Sequence, residues 1–557
     1  MQQLSESSVE TAERSNIARM GNPTAAVEEN FAVFQGLCRL ATQLSNEGRF
    51  AESALYVQVA ADYAWLHPTG LLASPELDSI LQRIGAELPW PNSRGNQVRS
   101  NRSPRHVLHV LTEAVGVGGH TRFVWRWIQN DADRPHSVVL TRQGERQIPG
   151  PLKENAEATG GKFHCLDWHF GGFLTRVQAL RRLAAGADHV VLHTSPSDVL
   201  PLIAFAGSQN RPPVTLVNHA DHVFWLGGAI VDQVANFRES GRRLAQRRRG
   251  IAESRCPLVP VPLGPRPKPF DRSEAKKKLG LPEDAVVLLS IASSYKYASI
   301  GDLHFGKVLL PVLQTHKNAV LFVIGPKEDD EWLASSAQAD GRLKVLGKRA
   351  DTDLFYQAAD IYLDSFPFSS MTSVLEAGSH GAPVASYRLH PREAEILYTD
   401  DLAVSPFIVQ ASSVEEYRRK ISWLIENGES RRTLGEQTRD RITEIHEPGG
   451  WNRFLEAMYS LDFPASLDQA PDKLEPRREV GELDFRLAQI FAKSGVSRDL
   501  SSTMRNHIAL FPLGERLRIW HRMFGGEWRS LPRLILSDWQ KTTLNRIRSF
   551  VFFRSVK

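Results

Sequence analysis

The feature that most constrains this chain is an alternation of short apolar strands with amphipathic helices, run through twice. In the first run the β-branched segments are Val107 to Thr112, His136 to Thr141, Val190 to Thr194 and Val214 to Asn218. Helical spacing separates some of them, at Thr121 to Ile128 and Leu174 to Ala184. The second run begins at Val286 (VVLLSIA) and continues through Val320 to Ile324, Leu343 to Leu346, Ile361 to Phe366 and Pro383 to Tyr387. Strands joined through helices are parallel, and a parallel sheet needs cover on both faces. Each run therefore predicts a Rossmann-like α/β domain, residues 105–262 and 272–460. Between them Pro260 to Asp271 carries five prolines and reads as a linker. Ligands of such sheets sit beyond the carboxyl ends of the strands.

A chain of 557 residues has room for more than these two domains. Residues 1–26 are polar and expected to be disordered, with no apolar stretch of the kind a secretory signal needs. From 27 to 88 the apolar positions recur at helical spacing: Phe31, Phe34, Leu37, Ala41 and Leu44, then Ala54, Val57, Ala61 and Ala64. Gly48 and Arg49 part the first helix from the second, and a third runs from about Pro75 to Ile84. The unit resembles a single tetratricopeptide-type hairpin without a convincing repeat. Residues 89–104 are a second linker, rich in Pro, Asn, Ser and Arg.

Charge is unevenly spread. The formal net charge is +5, yet residues 514–557 hold ten Lys/Arg against three Asp/Glu, so the rest of the chain is slightly acidic. In this tail (461–557 is expected to be a basic amphipathic extension) Ile519, Trp520, Met523, Phe524 and Trp528 interleave with arginines. That pattern suits an anionic membrane surface, or packing on the N-terminal helices or a partner subunit. No apolar run approaches the roughly 20 residues that span a bilayer. No base-reading module is visible, so nucleic acid is not expected as a partner. Three well-separated cysteines argue against disulfides and against a Cys zinc site, and for a reducing, cytoplasmic setting.

The stretch LDSFPFSSMTSVLEAGSHGAPV, Leu363 to Val384, carries the most chemistry. It reads as a strand, a turn at Pro367 to Ser370, and a helix opened by Thr372 and Ser373 with Glu376 on its second turn. Hydroxyls at a helix N-terminus make an anion site, because backbone N–H groups and the positive end of the helix dipole converge there. A carboxylate one turn on can accept from the hydroxyls of a sugar ring. The plainer alternative is a capping box, with Ser373 as N-cap and Glu376 as its partner.

Other motifs sit at strand ends. Gly116, Gly118 and Gly119 form a Gly-rich turn before His120. Val217 to Gly227 contains His219, Asp221 and His222 and an aromatic wall at Trp225; proton transfer, metal binding and simple loop packing all remain open for it. Ser294-Tyr-Lys296 places a lysine where it can neutralise a leaving diphosphate. Lys327 reads as a solvent-facing lysine, and Gly347 in Leu346-Gly-Lys-Arg349 offers backbone to a base edge. Asp131-Ala-Asp133 reads as a turn and Asp351-Thr-Asp353 as a helix cap; no metal site is expected.

Residues 105–460 resemble a GT-B glycosyltransferase. The second half is similar to the E-x7-E families through Leu346-Gly-Lys-Arg349, Tyr356-Gln-Ala-Ala-Asp360 and Glu376-Ala-Gly-Ser-His-Gly-Ala-Pro-Val384, but Phe368 stands where their first glutamate would be. Ser294-Tyr-Lys296, Thr372-Ser373, Glu376 and Trp225-Leu-Gly227 resemble the catalytic core of the O-linked N-acetylglucosamine transferases and bacterial cytoplasmic N-glucosyltransferases. The resemblance implies transfer of a hexose or N-acetylhexosamine from a nucleotide-diphosphate sugar, with UDP the expected carrier. It implies no cofactor and no metal: Lys296, Thr372, Ser373 and the helix dipole replace the divalent ion. Gly118, Gly119, Lys296, Gly347, Ser370, Thr372, Ser373 and Glu376 are the expected donor residues, Glu376 on the ribose. His120 is the expected acceptor-side base or donor-sugar contact, with Asp221 or His222 behind it. The acceptor would be a glycan, a lipid-linked glycan or a protein, the last two differing in whether the tail docks at the inner face of the cytoplasmic membrane. The alternatives are a nucleotide-sugar 2-epimerase of the same fold and an inactive GT-B scaffold.

Overall fold

Both sheets form, and each is entirely parallel. The first contains β1 (Val107–Leu111), β2 (His136–Leu140), β3 (Phe163–Cys165), β4 (His189–His193), β5 (Val214–Val217) and β6 (Gln233–Ala235), in the order β3-β2-β1-β4-β5-β6. The second contains β7 (Val286–Ile291), β8 (Ala319–Ile324), β9 (Leu343–Val345), β10 (Ile361–Leu363), β11 (Val384–Tyr387) and β12 (Val409–Ala411), in the order β12-β11-β10-β7-β8-β9. Counted from its own first strand, each sheet has the 3-2-1-4-5-6 order of a Rossmann fold. This is the GT-B architecture. The central strands are buried on both faces, which is why they read as continuous apolar runs. β3, β6 and β12 are too short to show a period and escape the sequence pattern.

The computed structural model describes residues 23–91, 103–116, 118–207, 210–264, 270–460, 475–493, 495, 499–523, 536–538, 540, 541 and 543. The expected disordered segment shortens, because helix α1 already begins at Pro23 (Pro23–Asn46); residues 1–22 lie outside the described residues, as do 92–102 and 265–269 in the two linkers. Helices α2 (Phe50–Leu66) and α3 (Pro75–Ala86) complete the N-terminal unit, and Ser74 caps α3 by accepting from the Leu77 amide at 3.3 Å. These helices do not stand apart. Phe34, Val57 and Leu81 share one apolar core with Leu202, Leu216 and Phe224 of the first α/β half. The buried Asp78 carboxylate accepts from the Gly227 and Ala229 amides at 2.8 and 3.1 Å.

Four further helices set up the cleft. α4 (Gly119–Asn130) follows β1, and α5 (Thr372–Ser379) follows β10. α6 (Pro448–Tyr459) crosses back to the first half, where Trp451 meets Trp127 edge-on at 5.4 Å and the Tyr459 hydroxyl bonds Asp131 at 3.2 Å. α7 (Glu482–Lys493) lays Leu483, Leu487, Ile490 and Phe491 into a core with Leu72, Val223, Phe368 and Ile396, so N-terminal helices, both α/β halves and the extension meet at one point. α8 (Leu500–His507) and α9 (Leu513–Met523) pack on α2: His507 bonds Asp62 at 2.8 Å, and Glu515 accepts from Tyr56 at 2.9 Å and Arg49 at 2.8 Å. The described part of the tail thus takes the packing alternative. Of residues 514–557, on which membrane docking was expected, those after 523 lie largely outside the described residues. Among the described residues no helix is long and apolar enough to cross a membrane.

Candidate functional site

The strand ends of the two sheets face one another, and α5 opens onto the space between. Its approach loop is braced from below. Asp364 accepts from the Ser370 amide at 2.9 Å, the Ser370 hydroxyl at 3.1 Å and the Thr399 hydroxyl at 2.9 Å, and Ser370 also bonds the Tyr362 hydroxyl at 2.7 Å. Ser370 is buried, so its hydroxyl serves the loop rather than a diphosphate, which corrects the expectation for it. Thr372 and Ser373, on the first turn of α5, are left at the mouth of the cleft. The helix is entered from Met371 with no side-chain cap, and Glu376 pairs elsewhere, so the capping-box alternative falls.

Across the cleft the Gly-rich turn reaches α5 directly. A Cβ on Gly119 would lie 3.1 Å from Thr372 Cγ2 and 3.3 Å from its Oγ1, so a side chain here would press on Thr372. Gly118 holds φ at 118°, a backbone open to glycine. His120 follows at once, its ring 4.3 Å from that of His219 and hydrogen-bonded to the His193 carbonyl. Burial pushes its pKa down to about 4, the carbonyl opposing, so the imidazole is neutral near pH 7. Neither Asp221 nor His222 stands behind it; His219 does.

Asp221 has a different task. Its carboxylate accepts from Arg238 Nε at 2.8 Å and Nη2 at 3.1 Å and contacts His222 Nδ1 at 3.3 Å. Burial raises the carboxyl, but the Arg238 charge outweighs it and holds Asp221 well below the usual carboxylate range. Arg238 in turn donates to the Tyr398 carbonyl at 2.6 Å and reaches Asp400 at 3.4 Å, tying the first half to the second. Asp221 is therefore a latch and not a base, and His219 Nε2 lies 3.1 Å from His193 Nδ1. His222 faces Phe368 edge-on at 4.6 Å, beside Lys296.

Lys296 lies in a short turn, Ser294–Tyr297, at the end of β7. Its Nζ donates to the Ser369 carbonyl at 2.5 Å and sits 4.5 Å from the Phe368 ring centroid. The aromatic ring that replaces the first glutamate thus carries the lysine on its face. Burial lowers the Lys296 pKa to about 8; Asp364 and Asp221 oppose this and Arg238 adds to it. Its anchor, Ser369, lies three positions before Thr372, so ammonium group and helix N-terminus share one wall.

Glu376 points into the cleft, but its carboxylate accepts from Arg126 Nη1 at 2.7 Å, with Arg122 Nη1 at 4.0 Å. Both arginines lie on α4, two and six residues beyond His120. A ribose would have to share Glu376 with them. Gly347, at φ 61°, presents its carbonyl to the Gly325 amide at 2.7 Å, closing the floor beneath β8. Asp131 is buried against Arg134 and His136, and Asp351 pairs with Arg349 at the surface. Asp353 is the first residue of its helix, following Thr352.

Sequence reasoning missed Arg122, Arg126 and Arg238, whose partners lie across the cleft or in other loops. It also missed the histidines of β1, β2 and β4, although each stood visibly in an apolar strand.

Residues 271–441 match the family model of the glycosyl transferases group 1. The match falls within the second α/β half. No curated protein matches the chain. Among solved structures, Anabaena Alr3699/HepE in complex with UDP and glucose aligns at 16% identity over 64% of this chain and 99% of its own, with a TM-score of 0.49. A Thermobaculum terrenum O-GlcNAc transferase aligns at 15% over 77% and 84%, with a TM-score of 0.47. A Rickettsia africae glycosyltransferase aligns at 11% over 64% and 98%, with a TM-score of 0.47.

Proposed function

We propose that the chain transfers a hexose or N-acetylhexosamine from a nucleotide-diphosphate sugar, with UDP as carrier, to a glycan or protein acceptor, and that it does so without a divalent ion. The observation that carries this reading is the meeting of Gly119, the residue before His120, with Thr372 across the cleft. The N-terminus of α5, the Thr372 and Ser373 hydroxyls and the Lys296 ammonium converge where a diphosphate leaves, and stabilise the charge that builds as the glycosidic bond breaks. His120, neutral at this position, faces the transferred sugar. Glu376, shared with Arg126, holds the ribose, and the backbone at Gly325 and Gly347 lies under the base.

A second substrate has room. A groove of about 540 Å³ runs along the ends of β1 and β2 and is lined by Asp62, Trp65, Thr112, Arg142 and His507 among others. An epimerase, which uses one substrate, has no need of it. The groove is built jointly by the N-terminal helices, the first sheet and α8, so the acceptor would be gripped by the parts that surround the catalytic halves.

The test is a thermal-shift series in EDTA with UDP, GDP and the corresponding sugars. A UDP-specific rise that disappears in Lys296→Ala supports the reading. A rise that needs added Mg²⁺, or that survives Lys296→Ala, overturns it.

A further inference from the structure

A row of histidines crosses the first sheet beneath α4. His136 pairs across β2 and β1 with Val107, and His109 stands two residues further along β1. His109 pairs with Val191, and His193 stands two residues further along β4. β4 and β5 run on in register from Leu192 and Leu216, and His219 lies three residues beyond Leu216. Steps of two residues keep a side chain on one face of a sheet. The four rings therefore form a diagonal on one face, under Phe123 and Trp127.

The rings are joined end to end. His219 Nε2 lies 3.1 Å from His193 Nδ1, His193 Nε2 lies 3.0 Å from His109 Nδ1, and His109 Nε2 lies 2.9 Å from His136 Nδ1. His136 Nε2 then lies 2.7 Å from the Asp131 carbonyl and 3.4 Å from its carboxylate, which Arg134 holds at 2.8 Å. A carbonyl only accepts, so His136 carries its proton on Nε2 and accepts on Nδ1. That fixes His109, His193 and His219 in the same tautomer in turn. Every donor points away from the cleft, and Nδ1 of His219 is left as the acceptor at the cleft end. Burial holds His109, His193 and His219 well below the usual imidazole range. The groups facing the row are His106 and His189 near His109, and His120 and Asp221 near His219.

The cleft end opens into a pocket lined by Ser195, Asn218, His219 and Trp225. Asn218 Oδ1 and Trp225 Nε1, on side chains 2% and 4% exposed, have no hydrogen-bond partner there. The pocket holds about 20 Å³, room for one small polar group such as a hydroxyl, which this buried acceptor and donor would satisfy. The pocket shares Ser195 and Asp198 with the wide groove.

We propose that His219 takes the proton from the acceptor's nucleophile, held by Asn218 and Trp225, and that His193, His109, His136 and Asp131 are positioning residues acting through it as one hydrogen-bonded wire. This rests on the transfer reading above. As the nucleophile bonds the sugar carbon and that carbon's bond to the diphosphate oxygen breaks, Nδ1 of His219 gains the proton. Its Nε2 proton shifts to His193, the same shift passes through His109 to His136, and the charge comes to rest against the Asp131 carboxylate. When product leaves, the shifts reverse and the proton returns to water through the cleft, so each ring recovers its starting tautomer.

Nitrogen-15 NMR of histidine-labelled protein reads the tautomers without any turnover. All four rings with the proton on Nε2 are expected, and a proton on Nδ1 of any one overturns the wire. His109→Gln cuts the row two rings from the cleft. Release of UDP from UDP-glucose and UDP-N-acetylglucosamine, with water as acceptor, should fall at least tenfold in kcat, while calorimetric UDP affinity is unchanged and the D₂O effect on kcat is altered. Wild-type kcat and isotope effect in His109→Gln would overturn the proposal. Should that variant fail to fold, His136→Asn at the far end is read the same way. A wild-type protein that binds no UDP fails the transfer reading, and the tautomer pattern still decides the wire.

Discussion

Lys296 has a working range set by its surroundings. With its pKa lowered to about 8 by burial, it is charged at pH 7 and neutral above pH 9. UDP affinity should be level from pH 6 to 7.5 and then fall about tenfold per unit well above pH 8, as expected of a single titrating cation. Calorimetry across that range checks this, and Lys296→Arg should flatten the decline. Stability moves the other way. A lysine lowered in the folded state binds fewer protons there than unfolded between about pH 8 and 10.4, so its contribution to stability rises over the window in which affinity falls. Asp221 gives a slope of the same sign at acid pH. Its depressed carboxyl adds stability that is full above the unfolded value of about 3.9 and lost as pH falls toward its folded value. Asp221→Asn leaves Arg238 buried with only the more distant Asp400 carboxylate, and should cost about 3 kcal/mol in denaturant unfolding. In the same variant the acid loss below about pH 4 should shrink. Lys296, Thr372 and Gly119 were legible in the sequence because each belongs to a local motif at a strand end. Asp221 was misassigned because its partner Arg238 lies on another segment, and the Glu376 to Arg126 pair spans 250 residues, beyond any motif.

At the scale of elements, the strands were legible wherever a buried β-branched run was long enough to show itself. β1, β2, β4, β5, β7 and β8 came within a residue or so of their observed ends. β3, β6 and β12 hold three residues each and carry no period, and they are strands because their neighbours supply the ladder. Of the helices around the cleft α4 and α5 were readable and α6 and α7 were not, nor was the closeness of α5 to the turn before α4, because it depends on how the two halves meet. Two glycines test that closeness. Gly325 has φ of 125°, and an added Cβ would fall 1.7 Å from the Ala292 carbonyl oxygen. Gly325→Ala should therefore destabilise by at least about 2 kcal/mol, since strain and a backbone clash coincide. Gly119→Ala meets only the Thr372 side chain at 3.1 Å, which can give by a few tenths of an ångström. It should leave the melting temperature nearly unchanged while weakening UDP binding, because what moves is the first turn of α5. Thermal melts and calorimetry on the pair separate a fold glycine from a site glycine.

For the whole molecule, the extension beyond the second α/β half works as a clamp. The sequence presented residues 461–557 as a basic tail, a reading dominated by its charged end. Its apolar helix face between Leu483 and Phe491 carried the structural information, and nothing local says what such a face will meet. It meets a junction. Leu72 comes from the N-terminal unit, Val223 from the first half, and Phe368 and Ile396 from the second, and α7 covers all of them. Phe368 is also the ring beneath Lys296, so the packing of α7 and the position of the ammonium group share one side chain. Leu487 lies at 2% exposure in this junction, and Leu487→Ala should cost about 3 kcal/mol as a buried large-to-small change. It should also weaken UDP binding, although Leu487 is on another element from the donor site. A leucine in the core beneath the first sheet, such as Leu192, should lose comparable stability when truncated while UDP affinity holds at temperatures where the variant stays folded. Measuring both quantities on both variants decides the matter. Equal loss of binding in the two would mean general loosening, and loss confined to Leu487→Ala would mean that α7 holds the Phe368 and Lys296 wall in place.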